Sequence, residues 1–264
     1  PEDYGTVSLI LVFVTLANVF VSNGFGESLI QKKDSSESDF STIFWCSCSF
    51  SILLYILLFV SAPYIAAFYG NAMLSPLTRV LALKIPISSI STIQHAYVSK
   101  HMQFKKFFFS TLGGTIISGV AGVIMASSGF GPWAVVFQYL INTTIDTIVL
   151  LFTVPWRPHF IFDITSAKRL MSFGWKMTLS SFINSAYGEI RSLIVGKIYS
   201  SGDLAQYKRG QQFPQLFITN INTAVSSFIF PTISMVNNNL TDVKRLTRRS
   251  MAVTAYIIFP MMVG

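Results

Sequence analysis

The apolar residues of this chain come in successive blocks of about 20, and a helix of that length crosses a hydrocarbon core of about 30 Å. Short polar stretches separate the blocks. Hydrophobic residues make up 52% of the 264 residues and charged residues only 11%, against about 25% charged in a soluble domain. The sequence therefore predicts an all-α polytopic membrane protein and excludes an ordinary soluble domain.

Hydropathy and helix-breaking residues together predict about eight membrane helices. They cover residues 6–29, 41–62, 77–98, 107–127, 131–154, 172–199, 207–235 and 250–264. The last apolar run is cut by the end of the sequence, and the first residue is not Met, so we expect this chain to be a fragment of a longer protein.

The basic residues fall on one side of the predicted membrane. Loops 30–40, 99–106, 155–171 and 236–249 carry 12 of the 19 Lys and Arg residues, and the alternate segments 1–5, 63–76, 128–130 and 200–206 carry none. By the positive-inside rule the first set is cytoplasmic. Because the net charge of +8 is spread along one membrane face and forms no motif, we expect no nucleic-acid partner.

Polar residues recur at helical spacing on several predicted helices. The two longest stripes are Lys176, Ser180, Asn184, Tyr187 and Arg191, and Arg209, Gln212, Gln215, Thr219, Asn222 and Ser226. Two shorter stripes are Lys84, Ser88, Ser91 and His95, and Gln138, Asn142 and Asp146. Hydrogen bonds between packed helices explain single Ser, Thr, Asn or Gln residues. Whole stripes that contain Lys or Arg favour a hydrated cavity, because an ionisable group is costly at membrane depth.

The sign of the charge predicts the ligand class. Acidic residues at depth are few, with Glu189 and Asp146 as the main examples, so the cavity should be net cationic. Arg offers bidentate contacts to phosphate oxygens and Lys a point charge, which suits an anionic ligand.

No enzyme signature accompanies these stripes. The sequence has no Gly-rich phosphate loop, no Ser/His/Asp order and no metal-ligand cluster, and Cys46 and Cys48 are interpreted as buried thiols. Gly113, Gly114, Ser118, Gly119 and Gly122 predict close packing of the helix at 107–127. We therefore expect a transporter with no catalytic residue, no cofactor and no metal.

A weak internal repeat predicts two lobes. An offset of 203 residues aligns Tyr4 with Tyr207, Phe25 with Phe228, Ile30 with Ile233 and Asp39 with Asp242. Both copies run from outside to inside, as expected for parallel repeats. The predicted domains are an N-terminal lobe at 1–154, a cytoplasmic linker at 155–171 and the start of a C-terminal lobe at 172–264.

Several motifs, in order along the whole chain, resemble Wzx-type polysaccharide flippases, lipopolysaccharide biosynthesis proteins of the MOP exporter superfamily. They are Pro1–Gly5, Gly24–Asp34, Ala66–Gly70, Phe130–Ala134, Trp156–Pro158, Phe173–Trp175, Leu193–Lys197 and Tyr207–Pro214. The resemblance implies a MOP/MATE-like bundle of two lobes, of which this chain would hold helices two to nine. It also implies a multi-pass protein of the bacterial inner membrane that flips undecaprenyl-diphosphate-linked oligosaccharide by alternating access.

On this interpretation a cationic cavity receives the diphosphate of the lipid-linked oligosaccharide. The predicted substrate-binding residues are basic side chains that line the cavity and neutral ones that offer hydrogen bonds to phosphate or sugar. They are Lys84, Lys176, Arg191, Arg209, Gln212, Gln215, Thr219 and Asn222. Glu189 and Asp146 are predicted to bind a coupling ion, H⁺ or Na⁺, or else to pair with a nearby Lys or Arg. The lipid tail would stay among the membrane lipids, and other polysaccharide-assembly proteins are expected as partners.

Three other functions stay open at this point. A MATE-type multidrug antiporter would share the two-lobe fold but should present acidic residues to its cationic substrates. A membrane glycosyltransferase or ligase should carry its catalytic groups in a sizeable outer loop. A non-transporting scaffold of an assembly complex would need neither feature.

Overall fold

The computed structural model describes residues 2–31, 36–101, 103–212, 214–215, 244–245, 248–249, 251–256 and 259. Its helices are α1 (Glu2–Gln31), α2 (Glu37–Tyr69), α3 (Leu74–Leu81), α4 (Lys84–Lys100), α5 (Phe104–Ser127), α6 (Pro132–Thr153) and α7 (Ile164–Ile198). Residues 201–212 are also helical. The described part of the chain contains no strand, and the predicted all-α fold class is confirmed.

Local sequence signals set the helix ends. The Ser36 hydroxyl accepts a hydrogen bond from the Asp39 amide, and the Ser36 amide donates to the Asp39 carboxylate at 2.8 Å, which forms a capping box at the start of α2. Gly70 ends α2 in the left-handed conformation, with φ of 66°. At the start of α6, Pro132 occupies the first turn, where its missing amide hydrogen costs no hydrogen bond.

Four helical segments are long and apolar enough to cross a membrane: Glu2–Ser22, Glu37–Tyr69, Lys105–Ser127 and Pro132–Thr153. They correspond to the predicted spans at 6–29, 41–62, 107–127 and 131–154. The chain is therefore a multi-pass membrane protein. The predicted spans at 77–98 and 172–199 are helical but are not among these four segments, and those at 207–235 and 250–264 lie largely outside the described residues.

The prediction of one uninterrupted helix at 77–98 is wrong. α3 ends at Leu81 and α4 begins at Lys84, with Ala82 and Leu83 in a tight turn between them. Pro86 explains the break, because it has no amide hydrogen to donate and its ring clashes with a continuous helix on its N-terminal side. In the first turn of α4 that missing donor is harmless.

The helix predicted at 172–199 begins eight residues earlier, at Ile164. Asp163 is its N-cap and accepts a hydrogen bond from the Thr165 amide at 2.9 Å. The segment predicted as a cytoplasmic linker is therefore extended only up to this cap. The Asp163 amide donates to the Thr42 hydroxyl at 3.0 Å, which attaches the segment to α2.

An apolar core lies where the predicted cytoplasmic ends of α1, α2, α4, α6 and α7 meet. Trp156, which follows α6, is 4% exposed and packs against the rings of Phe40, Phe44 and Tyr97 at 5.8 to 6.5 Å. The Trp45 indole donates to the His159 carbonyl at 3.0 Å. These contacts place the first part of the predicted linker against the helix bundle.

The structure forms two compact units, residues 1–205 and 206–264. The first contains α1 to α7, with α7 packed on α1 and α2. The predicted lobe at 1–154, linker at 155–171 and second lobe at 172–264 stay a prediction.

Candidate functional site

The polar stripe of α7 is exposed along its whole length. All five of its members, Lys176, Ser180, Asn184, Tyr187 and Arg191, are exposed side chains of the first unit. Ser192, one residue beyond the stripe, is fully buried, so a different face of α7 packs inward. The 15 residues from Lys176 to Arg191 correspond to about 22 Å of helix, most of the thickness of a hydrocarbon core.

Arg191 lies over the ring of a residue in the same stripe. Its guanidinium carbon is 5.9 Å from the centre of the Tyr187 ring, at the outer limit of about 6 Å for a cation–π contact. Tyr187 itself is 68% exposed, so the contact leaves the guanidinium accessible. Glu189, two residues before Arg191, is half-buried, as expected for a position on another face of the helix.

The stripe of α4 has a different environment. Ser88 and Ser91 are buried, and the Ser88 hydroxyl donates to Asn18 of α1 at 2.5 Å. Lys84, at the start of α4, is half-buried with its ammonium 5.3 Å from the centre of the Tyr139 ring of α6. Ser88 therefore joins α4 to α1, as the packing interpretation expects, whereas the Ser91 hydroxyl donates within α4 to the Ser88 carbonyl at 3.0 Å.

His95 and Asp146 form an ion pair between α4 and α6. The His95 Nε2 atom lies 2.9 Å from the Asp146 Oδ2 atom, and the two side chains are 27% and 16% exposed. His95 Nδ1 and Asp146 Oδ1 are buried and find no hydrogen-bond partner among the described residues. The Phe107 ring of α5 packs edge-on against the imidazole at 4.9 Å. The partner of Asp146 is thus a titratable group and not the predicted Lys or Arg.

Sequence reasoning missed this pair because it joins residues 51 positions apart on two helices. A signal was nevertheless present. His95 and Asp146 each end a polar stripe at the predicted cytoplasmic half of a helix, and two such stripes at one depth are candidates for pairing.

The stripe of α6, which consists of Gln138, Asn142 and Asp146, packs against the small residues of α5. A Cβ atom on Gly114 would lie 3.0 Å from the Asn142 carbonyl oxygen, and one on Gly122 would lie 3.1 Å from the Gln138 side chain. The Asn142 amide donates to the Ser118 hydroxyl at 3.3 Å. The predicted close packing of this helix is therefore confirmed at positions 114, 118 and 122.

Within the first unit, the predicted binding residues Lys84, Lys176 and Arg191 do not form one cluster. No hydrogen bond, ion pair or ring contact among the described residues joins Lys84 to Lys176 or Arg191, and Lys84 lies against α6 while the other two lie on α7. Arg209, Gln212 and Gln215 are exposed residues of the second unit. Thr219 and Asn222 lie outside the described residues.

Among the described residues, no group of three or more His, Cys, Asp or Glu side chains could hold a metal ion. The described connections at the predicted outer face, 70–73 and 128–131, have four residues each. Connections of that length leave no room for a catalytic domain between those helices.

The sequence is similar to proteins of polysaccharide biosynthesis. The sequence model of the family described as "Polysaccharide biosynthesis protein" matches residues 1–264. The chain is 25% identical over 250 residues to the teichuronic acid biosynthesis protein TuaB of Bacillus subtilis, covering 94% of the chain and 52% of that protein. It is 21% identical to the succinoglycan biosynthesis transport protein ExoT of Rhizobium meliloti, covering 100% of the chain and 53% of that protein.

A third relative is the lipopolysaccharide biosynthesis protein WzxC of Escherichia coli, 22% identical over 100% of the chain and 54% of that protein. The chain thus spans about half the length of each of these relatives. No solved structure matches the chain.

Proposed function

This chain belongs to the polysaccharide biosynthesis protein family, and from that premise we propose that the full-length protein flips a lipid-diphosphate-linked oligosaccharide across the bacterial inner membrane. The names of the relatives, which refer to succinoglycan transport and to lipopolysaccharide biosynthesis, support an export role for a surface polysaccharide. The protein acts as a transporter without a catalytic residue, and the polar glycan is the part of the substrate that it shields from the bilayer.

The exposed stripe of α7 is the observation that carries this proposal. Lys176 and Arg191 lie 15 residues, or about 22 Å, apart along one helix face. On the predicted span at 172–199, one cation then falls in each half of the hydrocarbon core. The neutral members between them, Ser180, Asn184 and Tyr187, can hydrogen-bond sugar hydroxyls. A diphosphate that moves along this face passes from one cation to the other, and hydrogen bonds hold the glycan between them.

A transport assay on Arg191 variants tests the assignment. We expect Arg191→Ala to reduce flipping about tenfold or more, because a hydrogen bond between charged groups contributes about 1.5–3 kcal/mol. Arg191→Lys should lose less, since it keeps the charge but not the bidentate geometry. The measurement is flipping of a fluorescent lipid-diphosphate-sugar by the full-length protein in proteoliposomes, with a leaflet-selective quencher.

The matched control is Lys168→Ala, which removes an exposed basic residue of the same helix near its cytoplasmic start. Normal flipping by Arg191→Ala at equal reconstitution would show that Arg191 does not bind the substrate.

A thermal-shift assay separates the flippase from a drug antiporter, because a ligand that binds the folded state raises the melting temperature. A soluble diphosphate-sugar should protect the protein and ethidium should not; the reverse result would favour the antiporter.

The ion pair between His95 and Asp146 is the part of the structure that supports coupling to a proton. Histidine titrates close to neutral pH, and a paired imidazole and carboxylate can share or release a proton without any metal-like ligand shell. Binding of the proton must differ between the inward-open and outward-open states to drive transport.

Asp146→Asn tests the coupling assignment, because it keeps a hydrogen-bonding side chain and removes the titratable carboxylate. We expect flipping by the wild-type protein to respond to an imposed pH gradient and flipping by Asp146→Asn to lose that response. A response to a sodium gradient, unchanged by Asp146→Asn, would refute the assignment. The control is Thr153→Ala, at the exposed end of the same helix.

A further inference from the structure

Two apolar cavities lie along one line of helix contact, which we call the α1–α2–α7 seam. The larger, outer cavity has a volume of about 720 Å³ and is lined by the last turns of α2 and α7 together with Phe13 of α1. Tyr64 and Phe68 of α2 and Ile194 of α7 are among its lining residues, and they are 75%, 57% and 51% exposed. The cavity is therefore open at the surface of the described helices.

The smaller, inner cavity lies on the same seam at the predicted cytoplasmic half. Its volume is about 240 Å³, and Phe25, Phe50, Trp175 and Thr178 are among the residues that line it. Phe20 of α1 also lines this cavity, and its ring lies 4.9 Å from the ring of Phe182 of α7. Phe182 follows the inner cavity and precedes the outer one along α7, so aromatic rings separate the two.

The seam is about as long as the hydrocarbon core is thick. From Gly174 at the inner cavity to Ile194 at the outer cavity there are 20 residues of α7, or about 30 Å of helix, which is the thickness of the hydrocarbon core. The acyl chain of an ordinary phospholipid occupies one leaflet, about half of that distance. A single occupant of both cavities must therefore have a longer apolar chain.

Among the described residues that line the seam, one is charged, and it lies at the outer end. The Lys197 ammonium donates a hydrogen bond to the Phe68 carbonyl and lies 4.1 Å from the centre of the Phe68 ring. The remaining described residues that line the two cavities are uncharged. An ammonium held at the mouth of an apolar groove is complementary to an apolar chain that carries a phosphate.

We propose that the α1–α2–α7 seam binds the isoprenoid chain of the carrier lipid and that Lys197 binds its phosphate on the outer side. This inference rests on the proposed function and assigns the lipid chain a binding path on the protein. It therefore differs from the expectation drawn from the sequence, in which the lipid tail stays among the membrane lipids. The Phe20–Phe182 contact divides the path, so the rings must separate for a chain to occupy both cavities at once.

Photocrosslinking tests the proposal on the full-length protein in nanodiscs. The probe is a polyprenyl phosphate with a photoreactive group in its chain, and labelled peptides are identified by mass spectrometry. We expect labels in residues 61–69 and 190–198, removed by excess undecaprenyl phosphate and not by phosphatidylglycerol. Equal competition by phosphatidylglycerol would assign the outer cavity to bulk phospholipid, and labels confined to other helices would also overturn the proposal.

Two variants with one matched control make the test specific. Ile194→Trp fills the outer cavity and should abolish labelling there, whereas Ile183→Trp, at an exposed position of α7 that lines neither cavity, should leave it unchanged. Lys197→Gln should weaken competition by undecaprenyl phosphate about tenfold, the equivalent of about 1.4 kcal/mol, and leave competition by neutral undecaprenol unchanged.

Equilibrium labelling does not require transport, so the two proposals fail separately. A protein that flips its substrate but shows unchanged labelling in Ile194→Trp would refute the seam and keep the flippase. Specific labelling without flipping would refute the flippase and leave a lipid-binding seam.

Discussion

Gly114→Ala is a sharp test of helix packing, because its neighbour Gly113 supplies a matched control. A Cβ atom at position 114 would meet the Asn142 carbonyl oxygen at 3.0 Å and the Asp146 amide nitrogen at 3.7 Å, whereas one at position 113 would meet nothing within 4 Å. The nearest obstacle is backbone, so it cannot rotate away as a side chain would. α5 and α6 must instead separate by a few tenths of an ångström along this contact.

The expected free energies of unfolding follow from these distances. Replacement of Gly by Ala within a helix is worth about 0.5–1 kcal/mol, so Gly113→Ala should be neutral or stabilising. Overpacking costs about 1–3 kcal/mol, so Gly114→Ala should be the less stable of the two variants by that amount. The less stable variant should therefore melt at the lower temperature, by fewer degrees per kcal/mol than in a small domain, because the entropy of unfolding grows with the length of the chain.

The assay is thermal unfolding of the purified full-length variants, followed by the loss of the monodisperse peak in size-exclusion chromatography. Both variants add the same methyl group to the same helix at neighbouring positions, one half-buried and one buried. If Gly114→Ala unfolds at the same temperature as Gly113→Ala, then α5 and α6 do not approach each other as closely as described.

Topology and acid sensitivity provide two further predictions. A single cysteine at position 106 should react with a membrane-impermeant reagent from the cytoplasmic side, and one at position 129 should react from the outside, since basic residues lie in cytoplasmic loops. Labelling of position 106 from the outside would show that the predicted orientation is wrong. Hydrogen bonds from the Ser166 hydroxyl and then the Thr165 amide hold the pKa of the exposed Asp163 carboxyl below its usual value. This cap therefore stabilises α7 above the ordinary pKa of about 3.9, and the contribution is lost as the pH falls through the lower folded-state pKa. Asp163→Asn keeps a side chain that can cap the helix but does not titrate. In hydrogen exchange, this variant should lose less amide protection at the start of α7 when the pH is lowered than the wild-type protein does. An unchanged pH dependence would show that the Asp163 carboxylate does not control the cap.

The membrane helices were predictable where their signal is local. The spans at 41–62 and 107–127 follow from hydropathy alone, because each block is apolar over its own length. The break between α3 and α4 depends on the position of Pro86 within the helix, and the early start of α7 depends on the Asp163 cap, so a hydropathy window detects neither. Helix ends are set by single hydrogen bonds, whereas helix existence is set by about 20 residues.

The candidate site shows the same division between local and tertiary information. Spacing of three and four residues predicted one face for Lys176 through Arg191, and the structure exposes that whole face. The same spacing could not distinguish an exposed stripe from a buried one, and the Ser88 stripe is instead packed against α1. Helical spacing also could not predict the contact between His95 and Asp146, because that contact depends on how α4 and α6 pack.

α4 has a consequence for the assembly of the protein in the membrane. At 17 residues, or about 25 Å, α4 is shorter than the hydrocarbon core and is not among the segments long and apolar enough to cross a bilayer. Several of its polar groups are paired with neighbours: Ser88 with Asn18, Ser89 with Ser51 and His95 with Asp146. Asp146 lies in α6, which leaves the ribosome after α4 has been synthesised. The nascent α4 therefore emerges before all of its partners exist, and it must wait at the translocon or the membrane surface until α6 arrives. The order in which these helices are made thus differs from the order in which they become stable in the lipid.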